Sequence, residues 1–308
     1  METTLSTAAL RPAPPSWNNA AAMGPSHREA QRGRASESPV RIGLALGGGF
    51  ARGIAHAGVL RVLEQYHIPI HCITGISAGS IVAAAYASGA STEEIVRTGC
   101  SMRLGDVGRI RPGRMGLIGS QTMKRFLERL LKTYRFEEMS MPLGVVATDL
   151  ATGEPAPFAG SGEVFEPIRA SCAYPGLFQP VSHGGRLLVD GAMSTGVPAA
   201  LARQLGATHV ISVPLPPANP CAAPNNMFQV VSRCFQILQS RIENSWRRET
   251  DLVIAPDVHG IDWNAFGRGP ELVQAGEAAA QASVPEIREW LSPRTAARDA
   301  ALQVAMAY

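Results

Sequence analysis

The chain has 308 residues, 45% of them apolar and 17% charged, enough to bury a large core as one α/β domain or two small ones. A net charge of +3 without basic clusters among aromatics argues against nucleic acid, and no apolar run reaches the roughly 18 to 20 residues of a transmembrane helix. The five cysteines (Cys72, Cys100, Cys172, Cys221 and Cys234) are scattered and odd in number, which builds neither a disulfide framework nor a metal site and suits a reducing cytosol.

Residues 1–39, rich in Ser, Ala, Pro, Asn and Arg, lack apolar periodicity and are expected to be a disordered extension. No apolar stretch follows a basic start, so they do not have the pattern of a signal peptide. Residues 41–46 predict a buried strand. Gly47-Gly48-Gly49 then lead into a helix over 51–66, with Ala55, Val59, Val62 and Tyr66 on one face. A second strand is predicted over 68–74, followed by a helix through Tyr86 that stops at Gly89. Ser91 with Glu94 three residues on has the pattern of a capping box. Residues 103–120 hold Arg103, Arg109, Arg111 and Arg114 among glycines and predict an irregular excursion before a helix over 121–134.

Further strands are expected at 143–148, 185–189, 209–213 and 252–255, with helices at 198–205, 227–250 and 271–291. Strands alternating with helices imply an α/β fold with a mostly parallel sheet covered on both faces. The domain therefore spans 40–291, and 292–308 form a tail. The default for the amphipathic segments at 121–134 and 227–250 is packing on the core. The alternative is an apolar entrance near the arginines of 103–114, touching anionic lipid at the periphery of a membrane.

Gly75-Ile76-Ser77-Ala78-Gly79 places a serine between two glycines where a strand turns into a helix. Such an elbow makes the hydroxyl project, and the flanking glycines let strand and helix pass closely. The loop Gly47-Gly48-Gly49-Phe50-Ala51-Arg52-Gly53 offers backbone N–H groups to a phosphate or to a developing oxyanion. A nucleotide reading fits poorly, because the glycines are not spaced as G-x-G-x-x-G and no lysine precedes a serine or threonine. Arg52 opposes the macrodipole at a helix start, which calls for an offsetting phosphate or carboxylate. Serine also needs a base. Asp190 ends the run Leu187-Leu188-Val189 before Gly191, where it is either a site carboxylate or part of an Asp-Gly turn. His209 and His259 follow it and would complete a triad in the usual order, although neither setting demands that role.

These residues resemble the patatin-like phospholipases, and within them bacterial proteins akin to the catalytic domain of neuropathy target esterase. The resemblance runs from about residue 41 to 291 through Gly47-Gly48-Gly49 with Arg52-Gly53, Gly75-x-Ser77-x-Gly79 and Asp190-Gly191. Blocks at 147–154, 169–180 and 254–257 add to it. It implies a three-layer α/β/α sandwich and a Ser77–Asp190 dyad that hydrolyses acyl esters of lipids without metal or organic cofactor. It also implies an oxyanion loop at Gly47, Gly48 and Gly49 with Arg52 and Gly53, and a lipid partner, while the cysteine usage points to a cytoplasmic location. Two positions depart from the pattern: Phe50 stands where glycine is frequent, and Thr195-Gly196 where an asparagine pair is frequent.

Overall fold

Ile42–Leu46 (β1) alternates large and small side chains, and the alternation separates the two faces of the central sheet. Ile42, Leu44 and Leu46 enter the main core, whereas Ala45 joins a smaller cluster with Val197, Ala199, Ala202 and Trp246 on the other side. A computed structural model of the chain describes residues 39–113, 115–119, 121–215 and 227–292. Within it, residues 40–292 form one unit. Apart from Pro39 and Ser292, the expected extension and tail lie outside the described residues, as do Arg114 and Cys221.

After β1, a 3-10 turn at Phe50–Ile54 precedes helix α1 (Ala55–Gln65), so the glycine loop enters through a tighter turn than the α-helix expected from residue 51. Strand β2 (Ile70–Gly75) starts after Pro69, which has no N–H to give a ladder, and runs into helix α2 (Ala78–Ala87). Helix α3 (Thr92–Ser101) is held at its start by the expected capping box. A short helix α4 (Leu104–Val107) and the hairpin of β3 (Arg109–Gly113) with β4 (Gly116–Gly119) replace the irregular excursion. Helix α5 (Gln121–Leu130) buries Met123, Phe126, Leu127 and Leu130, so its apolar stripe packs on the core.

Strand β5 (Leu143–Asp149) pairs with β6 (Pro155–Ala159), a strand not expected from sequence because its two prolines disguise it. It tolerates them by pairing with β5 alone. Helix α6 (Phe165–Ser171) and strand β7 (Val181–His183) were also not anticipated. The chain continues through β8 (Arg186–Asp190), α7 (Ala199–Gln204), β9 (His209–Val213), α8 (Met227–Arg247), β10 (Leu252–Val253) and α9 (Gly269–Leu291).

The sheet runs β10-β9-β1-β2-β5-β8-β7, with β6 also on β5. The β10-to-β5 portion is parallel, with Leu44 opposite Ile73 and Ile211, whereas β6, β7 and β8 join antiparallel. Serine elbow and aspartate thus come from opposite halves: Ser77 follows β2, and Asp190 ends β8. Helix α8 departs from the core-packing expectation. Trp246 is buried, but Met227, Val230, Val231, Ile237 and Leu238 are exposed.

Candidate active site

Ser77 occupies the sharp turn between β2 and α2 with φ 50° and ψ −128°. A side chain at positive φ is strained by about 1 to 3 kcal/mol, so surrounding contacts must hold it there. They are identifiable. The Ser77 amide donates to Ser171 Oγ at 2.8 Å, and Ser171 Oγ donates to the Val146 carbonyl at 2.7 Å. Ser80 Oγ donates to the Ser77 carbonyl at 2.6 Å. Gly79 explains why the elbow needs glycine: a Cβ there would lie 2.5 Å from the Leu46 carbonyl oxygen and 2.6 Å from that of Gly47. Gly75 is packed as closely against the Gly79 backbone.

The Asp190 carboxylate is buried and lies against the Ser77 side chain, whose contact helps lower its pKa. Its Oδ1 also accepts the Ala192 amide at 2.9 Å, while the Asp190 amide donates to Ala173 O and its carbonyl accepts Thr148 Oγ1. Burial pushes this carboxyl up to about 7, against the opposing pull of the Ala192 amide and the Ser77 side chain. Gly191 packs with no room for a Cβ, which would meet the Val146 carbonyl oxygen at 2.2 Å. The Asp-Gly pair therefore opens a short 3-10 turn and also presents a carboxylate to Ser77.

The glycine loop divides its labour. Gly47 is not an available donor, because its amide donates to Val213 O at 3.0 Å and its carbonyl is bound by His56 Nε2 at 2.9 Å. The amides of Gly48 and Gly49 find no acceptor among the described residues. A Cβ on Gly48 would lie 3.2 Å from Ser77 Cβ and 3.8 Å from its Oγ, which places this residue directly against the serine. Gly53 does not line the cavity; it lets the 3-10 turn pack on Ala78.

Arg52 is buried rather than solvated. Its Nε donates to Gly49 O at 3.4 Å, and burial lowers its pKa to about 10, opposed by the charge of Asp262. A structural carboxylate thus supplies part of the offset that its position required. A cavity of about 300 Å³ joins Ser77, Asp190, Gly48, Gly49 and Arg52. Among the described residues no histidine lines it. His209 stacks on Trp290 with ring centroids 4.8 Å apart, and His259 binds Asp257 at the surface. Neither completes a triad with Ser77.

Two residues at the site had no assigned role in the sequence. Ser171 lies 94 positions from the amide it receives, and its place within a resemblance block was its only signal. His56 is fully buried and kept neutral, burial lowering it to about 4 with the Gly47 bond opposing. Its helical position suggested nothing beyond packing.

The patatin-like phospholipase family model matches residues 44–203, just over half of the chain. The chain belongs to this family. Its relatives include an uncharacterised NTE family protein of Mycobacterium tuberculosis, 33% identical over 189 residues, covering 60% of this chain and 52% of the relative. The lysophospholipase nte1 of Aspergillus fumigatus is 27% identical over 302 residues, which cover 83% of this chain and 18% of that protein. The human patatin-like phospholipase domain-containing protein 6 is 31% identical over 56% of this chain and 13% of its own length. The chain thus spans about half the length of the bacterial relative and less than a fifth of the other two. In fold it is similar to VipD from Legionella pneumophila, with a TM-score of 0.51 at 14% identity, covering 81% of this chain and 67% of VipD.

The departures from the patatin-like pattern have local explanations. Phe50 lies at φ 50°, a conformation that favours glycine, and its ring is wedged edge-on between Tyr174 and Trp263, each 5.1 Å away by centroid. Each such aromatic pair contributes about 0.5 to 1.5 kcal/mol, enough to offset the backbone strain. All three rings line the cavity and make its wall apolar. Thr195 supports the loop after Asp190 through its own hydroxyl, which donates to Val197 O at 3.0 Å.

Proposed function

We propose that this chain is a serine acyl hydrolase that cleaves carboxylic esters of phospholipids or lysophospholipids through a Ser77–Asp190 dyad. The observation that carries the reading is the meeting of a strained elbow serine with a buried carboxylate, in a cavity also lined by Gly48 and Gly49, whose amides find no acceptor among the described residues. Asp190 accepts the hydroxyl proton as Ser77 Oγ attacks the acyl carbonyl. The amides of Gly48 and Gly49 receive the developing oxyanion, a contribution of about 2.7 to 4 kcal/mol per donor in comparable sites. Asp190 returns the proton to the departing alcohol or lysolipid, leaving an acyl ester on Ser77. Water then attacks this ester, giving its proton to Asp190, which returns it to Ser77 as the fatty acid leaves.

A fluorophosphonate probe tests the nucleophile directly. The full chain should be labelled at Ser77 and lose its ester hydrolysis in step with labelling. Labelling elsewhere, or turnover that survives full labelling of Ser77, would overturn the reading.

His56 supports the same chemistry from beneath the loop. A trans peptide holds C=O and N–H on opposite sides, so fastening the Gly47 carbonyl to His56 turns the Gly48 amide away from α1. His56→Leu should therefore lower kcat by up to about 100-fold with little change in KM, the signature of an interaction expressed in the transition state. His56→Gln, which keeps a donor in reach of Gly47 O, should recover part of the loss. Equal kcat in the two variants, at matched thermal stability, would show that His56 only fills space.

A further inference from the structure

Helix α8 presents two different faces. Toward the site, Phe235 packs edge-on against Tyr174 at 5.6 Å, Gln239 Nε2 donates to Ala192 O at 3.2 Å, and Trp246 is buried beside Val197. Gln236, Gln239, Trp246 and Arg247 also line the cavity that contains Ser77. The opposite face is apolar and exposed. Met227, Val230, Val231 and Leu238 follow one another at spacings of three, one and seven, which keeps them within about 100° of helical arc. Their relative exposures are 83%, 47%, 38% and 59%. Among the described residues, five of the eight exposed large hydrophobic side chains belong to this one helix. Such a ridge is costly in water and marks a surface that is covered in use.

Charge indicates the occupant. Residues 227–249 carry Arg233, Arg241, Arg247 and Arg248 against the acids Glu243 and Glu249. Arg241 is exposed and continues the apolar stripe at helical spacing, and Arg248 is exposed in the turn directly after the helix. A second copy laid ridge to ridge would bring two segments of net positive charge together. An anionic lipid leaflet complements them, while the aliphatic side chains enter its interfacial layer.

We propose that α8 docks the chain on an anionic lipid surface through Met227, Val230, Val231 and Leu238, with Arg241 and Arg248 meeting the headgroup phosphates. The inference rests on the lipid-ester reading above and adds to it the surface through which the cavity meets its substrate. Because the docking face and four cavity-lining residues share one helix, docking sets the cavity beside the leaflet.

The test uses the full chain, with flotation on phosphatidylcholine vesicles with or without phosphatidylserine, and hydrolysis of p-nitrophenyl butyrate, a dissolved ester that needs no surface. Wild type should float with phosphatidylserine vesicles. Val231→Glu with Leu238→Glu should weaken flotation at least about tenfold, since each buried aliphatic contributes strongly, and should leave butyrate hydrolysis unchanged. Arg241→Gln with Arg248→Gln should weaken binding roughly 25-fold on phosphatidylserine vesicles and little on phosphatidylcholine alone. Wild-type binding that both double variants match would overturn the proposal, as would no wild-type flotation. A wild-type dimer by light scattering that becomes monomeric in the glutamate variant would assign the ridge to a second copy instead. If wild type floats yet cleaves neither butyrate nor lysophospholipid, the docking surface stands and the hydrolase reading falls.

Discussion

Asp190→Asn should lower ester turnover by about 10⁴-fold, the scale on which removing the carboxylate of a serine triad acts, while raising thermal stability at pH 8. The two effects have one cause. In the folded chain the carboxyl is pushed up to about 7 by burial, far above the value of about 3.9 for an exposed aspartate. Between those values the folded state holds a proton that the unfolded chain has released, so stability falls as pH rises through this window. The contribution of the neutral carboxyl is fully present below about pH 4 and lost above about pH 7. The loss is on the order of 4 kcal/mol, with the opposing pull of Ala192 and Ser77 already contained in the value of about 7. Asparagine carries no charge at any pH in this range. The variant should therefore melt several degrees above wild type at pH 8 and converge with it near pH 4.

Turnover has the opposite pH dependence, because only the ionised carboxylate accepts the Ser77 proton. Wild-type kcat should rise with pH through about 7 and then level off. Ser77→Ala should abolish turnover at every pH. Appreciable hydrolysis by Asp190→Asn would exclude a dyad, and equal melting temperatures for wild type and variant at pH 8 would show that the carboxylate is not desolvated.

The second large effect lies away from the chemistry, where α1 and α9 meet. A Cβ on Gly276 would stand 2.0 Å from the Ala55 carbonyl oxygen, and one on Gly58 would stand 2.1 Å from that of Val273. These obstacles are backbone atoms of the facing helix, so no rotamer change relieves them. Gly276→Ala and Gly58→Ala should each destabilise the chain by about 3 kcal/mol or more, despite alanine's better helix propensity. The double variant should cost less than the sum, since one separation of the helices serves both methyl groups. Urea unfolding would report this as a lower midpoint at constant slope. An unchanged midpoint in both single variants would mean that the helices do not approach as closely as these glycines allow. Because α1 also carries His56, a separation of the helices should lower kcat along with stability.

Much of the site was legible because its conformations are local. Gly75-x-Ser77-x-Gly79 encodes an elbow through glycines that strand and helix require within a few residues, and Ser91 with Glu94 encodes a helix start in the same way. The alternation of Ile42, Leu44 and Leu46 with smaller residues likewise specifies a two-faced strand at the centre of the sheet. What depended on distant register was not legible. Gly47 looked like its neighbours until β9 claimed its amide and α1 its carbonyl, and Ser171 gained a role only when α6 brought it to the Ser77 amide. The outer face of α8 has the same amphipathic spacing as the buried stripe of α5, and only the tertiary structure left one of them in solvent. A sequence pattern specifies which face of a helix is apolar, whereas the fold decides whether anything in the same chain is there to cover it.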